Sequence, residues 1–163
     1  MTLAFSGGGT RAAALAYGVL EELRDTTVVI DGQPRRLLDE VDMISSVSGG
    51  SFTSAYYGLH GDRIFEDFKD KFLYRDIDSK LIRGALNPLV WLAATGRTEM
   101  AVKIYEKEVV HGATFADMQR AGGPLILINA SDLGYGVRFS FVQEYFDLLC
   151  SDINSFPVSR AVT

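Results

Sequence analysis

Two short stretches constrain this chain more than any other feature. The first is "LAFSGGGTRAA", residues 3–13, and the second is "ISSVSGGS", residues 44–51. Each leaves a short apolar, strand-like run through small residues and enters a segment that reads as helix. A chain that turns twice from strand to helix over such small residues is building an α/β sheet with helices on its faces. The second turn also places a serine at the bend, where it is either a capping residue in an ordinary loop or a nucleophile.

The remaining pattern fits that frame. Residues 2–5 read as a strand, and residues 11–23 as a helix with apolar positions at Leu15, Val19, Leu20 and Leu23. Residues 27–30 are β-branched and strand-like, and Asp31-Gly32 is a turn signal. Leu37-Leu38 leads into a strand at 41–46, and helices are expected at 52–59 and 64–72. Further helical segments are expected at 80–86, at 89–94 after the Asn87-Pro88 start, and at 99–110. Residues 60–112 thus read as an all-helical insertion over one end of the sheet. "TFAD", residues 114–117, precedes a loop ending in Gly122-Gly123-Pro124. Residues 125–129 and 137–141 read as strands joined by a turn through Gly134 and Gly136. In "NSFPVSRAVT", Ser155 reads as a cap and Pro157 as the first turn of a helix that stops one turn later. That ending is expected of a piece of a longer domain.

Composition narrows the partners. Of 163 residues, 47% are hydrophobic and 23% charged, enough apolar matter for a packed core. The net charge of −5 argues against nucleic acid and against a polybasic membrane anchor. The N-terminal residues carry no signal-peptide pattern, and no apolar run reaches the ~20 residues of a membrane helix. Cys150, the single cysteine, reads as a small buried hydrophobe, and no Cys/His cluster has zinc spacing. No metal site is expected.

Three readings compete for the first glycine turn. Gly7, Gly9 and Ala12 fit G-x-G-x-x-G/A after a strand, with Asp31 placed for a ribose, as in a dinucleotide-binding oxidoreductase domain. The same glycines also fit a plain tight turn. A row of free N–H groups at a helix start is, thirdly, an oxyanion hole, which needs a nucleophile beside it. The second turn supplies one. Ser46-Val47-Ser48-Gly49-Gly50 has the strand–turn–helix setting of a nucleophile elbow, G-x-S-x-G, with Gly50 at the second small position and Ser46 in place of the first glycine.

Together, "SGGGTR" and "SVSGGS" resemble the patatin-like phospholipases. Gly7-Gly8-Gly9-Thr10-Arg11 matches the family's G-G-G-x-R/K oxyanion motif at every position, and the elbow departs from the family pattern only at Ser46. "INASDLGYGVRFSF" and "FPVSRAVT" resemble later segments of the family. The resemblance implies a modified α/β-hydrolase fold, with residues 1–163 the N-terminal part of one domain. It implies hydrolysis of phospholipid or acylglycerol esters by a Ser-Asp dyad, without a cofactor. Ser48 is then the nucleophile, and Gly7, Gly8, Gly9 and Gly49 form the oxyanion hole. Arg11 and Gly50 support it, Arg11 as a loop brace or an attractor of lipid phosphate, or simply as a surface charge.

The family's dyad aspartate lies in a D-G-G/A motif, and none occurs in this sequence. Asp31-Gly32-Gln33 comes too early in the chain, and Asp132 falls in a segment that matches a family turn. The two histidines, His60 and His111, lie in no catalytic motif and read as structural or surface residues. The expectation is that the dyad aspartate lies outside these 163 residues and that this chain alone is inactive. The apolar segment 81–92, with Trp91, reads as core, with an acyl channel or peripheral membrane contact as the other uses. Phe52, Tyr56 and Tyr57 read as core in the same way. A lipid-binding or partner-binding module without turnover is the remaining alternative.

Overall fold

The computed structural model describes residues 1–74, 99, 102, 105, 106 and 110–163. The segments expected as helices at 80–86 and 89–94, the apolar segment 81–92 and most of 99–110 lie outside the described residues, so the insertion expected over 60–112 is seen mainly at its start.

Strand β1 (Thr2–Phe5) leads through the glycine turn into α1 (Gly9–Asp25). A two-stranded ribbon follows, β2 (Thr27–Ile30) and β3 (Gln33–Arg36), and then a 3-10 turn at Leu37–Glu40. Strand β4 (Met43–Val47) runs to Ser48, and α2 (Gly49–His60) begins at the next residue. Short helical turns continue through α3 (Ile64–Phe68) and a π turn at Lys69–Leu73. The chain then forms α4 (Phe115–Arg120), β5 (Leu125–Ser131), β6 (Arg138–Ser140), α5 (Gln143–Leu148) and α6 (Val158–Val162).

The main sheet has the order β1-β4-β5-β6. β1, β4 and β5 are parallel, with Phe5 opposite Ser46 and Val47 opposite Asn129, and β6 is antiparallel to β5. A mostly parallel sheet flanked by helices is what the two strand-to-helix turns implied. The ribbon β2–β3 is separate from it, and its Asp31-Gly32 link has φ of 52° and 74°. Two successive positive φ values make the I′ hairpin that Asp-Gly favours. The sequence signalled this turn but hid β3, because Pro34 and two arginines read against a strand.

Helix α2 is the centre of the molecule. Every residue from Gly49 to Gly58 is buried, so the helix needs no polar face. It packs against α1, β4, β5, α3, α4 and α6. Phe52, Tyr56 and Tyr57 are core residues, as their apolar character implied. Phe52 stacks on Phe72 and Tyr56 meets Phe68, which closes an aromatic layer under α3.

Two expectations are corrected. In α1 the buried stripe is Ala13, Ala16, Tyr17 and Leu20, while Leu15 and Val19 are exposed. Small residues face α2 because the two helices approach so closely that Thr53 Oγ1 donates to Ala13 O at 2.9 Å. Phe115–Arg120 form a helix between Thr114 and the Gly122-Gly123-Pro124 loop. Thr114 caps it, its Oγ1 accepting from Asp117 N while Asp117 returns a carboxylate to Thr114 N. That T-x-x-D capping box was present in the sequence. Cys150 is exposed rather than buried. It stands just past α5 with φ 52°, where Cys150 N bonds Asp147 O and Ser151 N bonds Phe146 O. This is the reversed turn that ends many helices, and it points the side chain outward.

Candidate active site

The four serines of "ISSVSGGS" have four different fates. Ser45 Oγ accepts a hydrogen bond from Asn129 Nδ2 at 3.1 Å. Ser46 is buried, its Oγ 2.6 Å from Ser54 Oγ and 3.3 Å from Leu127 O. Its hydroxyl thus binds inward to α2 and β5 at the position where the family motif has glycine. Ser51 is fully buried in the first turn of α2, and its hydroxyl has no hydrogen-bond partner among the described residues. Ser48 alone is exposed.

Ser48 stands at the N-cap of α2 with φ 50° and ψ −125°, and its side chain makes no capping hydrogen bond. A non-glycine residue in such a conformation costs about 1–3 kcal/mol and persists only where its surroundings hold it. Here they do. Ser51 N donates to Ser48 O at 2.8 Å, which closes the bend. A Cβ on Gly49 would stand 2.1 Å from Gly9 O, and one on Gly50 would stand 2.8 Å from both Phe5 Cβ and Ser6 O. The turn after β4 is therefore wedged against the turn after β1, and two glycines are needed for the fit.

The first turn is built to meet it. Gly8 (φ 139°) caps α1 and Gly9 (φ 64°) is its first residue. A Cβ on Gly7 would come within 3.2 Å of Ser48 Cβ and 3.8 Å of Ser48 Oγ. A side chain at position 7 would press on Ser48 Cβ. The helices α1 and α2 begin at Gly9 and Gly49, whose backbones touch, so two positive helix ends converge beside Ser48. The starts of helices are a general setting for holding negative charge. Arg11 is exposed in the first turn of α1 and forms no ion pair among the described residues.

The other candidates lie elsewhere. Asp31 stands in the turn of the separate ribbon, and the strand beside β1 is β4, which ends in Val47 and is followed by Ser48, neither of them acidic. The dinucleotide reading needs an acid at the end of that neighbouring strand, so it loses its ribose ligand. Asp132 Oδ1 accepts from Gly134 N at 2.7 Å and Tyr135 N at 3.0 Å, and so folds the β5–β6 turn. His60 ends α2, about 18 Å along the helix from Ser48. It packs on the Tyr56 ring, and burial, with Arg63 nearby, pushes its pKa down. His111 is exposed in a turn. No carboxylate among the described residues bonds the Ser48 hydroxyl. Among those residues, too, no three or more His, Cys, Asp or Glu side chains group to hold a metal.

A cavity of ≈ 600 Å³ opens beside the first half of β5, lined by Phe115, Met118, Leu125, Phe141 and Ile153 among others. Ser48 lies at the other end of the strands, next to Val47 and its register partner Asn129. The cavity is therefore not the serine site.

A mostly parallel α/β sheet thus ends, at Ser48, in a strained and exposed serine set against a glycine turn. The chain matches the family model for patatin-like phospholipase over residues 3–154, and it belongs to that family. No curated protein and no solved structure matches it.

Proposed function

We propose that Ser48 is the nucleophile of a lipid acyl hydrolase acting on phospholipid or acylglycerol esters. Membership of the patatin-like phospholipase family supports the reaction class. The observation that carries the residue assignment is the backbone of Ser48, strained at φ 50° and seated where the Gly9 and Gly49 backbones meet.

In this reading Ser48 Oγ attacks the ester carbonyl, and its proton passes to the dyad aspartate. The amides of Gly8, Gly9 and Gly49 stabilise the tetrahedral oxyanion, with Gly7 leaving room for it. Loss of one such donor typically costs about 10²–10³ in rate. The intermediate collapses, the leaving alcohol takes the proton, and an acyl-enzyme remains. Water, deprotonated by the same aspartate, then releases the fatty acid. Gly50 keeps the elbow tight, and Arg11 attracts a lipid phosphate. The substrate is lipid met at a membrane surface, with no nucleic acid partner and no cofactor.

The aspartate of the dyad is assigned to residues outside these 163, because no D-G-G or D-G-A occurs among them. The 163-residue chain by itself is accordingly expected to turn over no ester. A lipid-binding module without turnover is the second reading, favoured by the lack of any carboxylate on the Ser48 hydroxyl among the described residues. Treating the full-length protein with a fluorophosphonate probe separates the two. Labelling at Ser48, lost in Ser48→Ala, supports the hydrolase, and a folded protein that never labels supports the silent module.

A further inference from the structure

One polar network beside the elbow has no part in the acyl-transfer chemistry. Asn129 is the last residue of β5 in register with β4, opposite Val47. Its carboxamide reaches across the strands. Nδ2 donates to Ser46 O at 2.9 Å and Ser45 Oγ at 3.1 Å, with Leu127 O at 3.3 Å. Oδ1 accepts from Ser140 Oγ of β6 at 2.7 Å. The acceptors on one side and the hydroxyl donor on the other fix which way the amide points.

This network sits directly before the elbow in the chain. Ser46 is two residues before Ser48, and Asn129 stands where the β4–β5 register ends. Beyond Val47 the chain must turn into a disfavoured backbone conformation, and a loose last residue of β4 would let that strain relax. Ser46 is gripped on both sides. Its hydroxyl binds Ser54 of α2, and its carbonyl takes the Asn129 amide. Ser140 in turn holds Asn129 from the opposite strand, and its side chain is buried.

We propose that Asn129 is a positioning residue for Ser48. Its carboxamide pins the end of β4 and so fixes the angle at which the elbow presents its hydroxyl, and Ser140 holds the carboxamide in place. The inference rests on the reading of Ser48 as nucleophile, but its structural half stands separately. A displacement of the order of 1 Å at a reacting group can cost about 10² in rate.

The test uses full-length protein, a fluorophosphonate probe and hydrogen–deuterium exchange over residues 45–50. With Asn129→Ala folded, labelling at Ser48 is expected to slow about 10²-fold, and with Ser140→Ala about 5-fold, each read well below that variant's melting temperature. Asn129→Asp adds a pH signature. A protonated carboxyl can still donate to Ser46 O, and an ionised one cannot. The labelling rate of that variant relative to wild type is therefore expected to rise from about pH 8 to about pH 5. Labelling of Asn129→Ala within about twofold of wild type, or a pH-independent ratio for Asn129→Asp, overturns the proposal. If wild type does not label, the hydrolase reading fails by itself. Exchange then decides: amides of Gly49 and Gly50 exchanging about 10-fold faster in Asn129→Ala support the clamp, and unchanged exchange refutes it. If Asn129→Ala does not fold, Ser140→Ala, which leaves every contact to β4 in place, carries the same two readings.

Discussion

The turn after β1 and the turn after β4 do the same geometric job by different means. Each takes the chain from a parallel strand into a long helix. The first uses Gly8 and Gly9, whose positive φ values cost glycine little, and it is open to solvent. The second uses a serine at φ 50° and two glycines that are there for space, since neither Gly49 nor Gly50 has a positive φ. Glycine thus serves torsion in one turn and clearance in the other. In the function proposed above, the first turn has only to offer its amides and can stay open, whereas the second has to hold one hydroxyl and must be locked by its neighbours.

Alanine should break the two turns by very different amounts. Gly49→Ala places a Cβ 2.1 Å from Gly9 O, a backbone atom that cannot step aside. It is expected to cost more than about 4 kcal/mol and to leave little folded protein. Gly9→Ala meets nothing within 4 Å and pays only for its φ of 64°. About 1–2 kcal/mol is expected. Urea denaturation of both variants checks the contrast, and equal losses would erase it.

Ser48→Ala sharpens the comparison from the other side. The hydroxyl makes no capping bond, so stability should change by less than about 0.5 kcal/mol while fluorophosphonate labelling disappears. A large fall in the melting temperature would mean that Ser48 is a structural residue. Ser46→Ala should do the reverse in kind, removing a buried hydroxyl pair and destabilising by about 1–2 kcal/mol in the same urea assay.

The smallest expected effect lies at the far end of α2. Burial pushes the Asp67 carboxyl up, but hydrogen bonds from Lys71, Tyr56 and Arg63 hold it below the usual carboxylate range. A carboxylate depressed in the folded state stabilises above its unfolded value, near pH 4, and that contribution is lost as pH falls through the folded value. Asp67→Asn should therefore flatten part of the fall in stability between about pH 5 and pH 2, without touching labelling at Ser48. An unchanged acid limb would show that the cluster contributes nothing.

Much of this architecture was legible in the chain. Strand-like runs and glycine turns placed β1, β2 and β5, and a helix was legible after the serine cluster, read at 52–59 although α2 begins at Gly49. Ser48 stood out from its three serine neighbours only through its pairing with "SGGGTR". What stayed hidden had physical causes. β3 reads as charge and proline, because a two-residue hairpin can pair a strand with little apolar content. The buried stripe of α1 is alanine-rich, because close helix packing rewards small residues over Leu15 and Val19. Cys150 looked like core by residue type, but its αL position after α5 turned it outward.

The sequence by itself determined the two turns, their order along the chain and the identity of the residues at each bend. Residue size and backbone freedom are local properties, so a glycine or serine in the right place can be read directly. Only the tertiary structure decided that Gly49 must clear Gly9, that Ser46 turns its hydroxyl inward, and that Asn129 reaches from β5 to the end of β4. Those relations join residues from eight to 83 positions apart. They exist because parallel pairing brings three strand ends to one edge, where backbone contact and hydrogen bonding finish a site that the sequence only outlines.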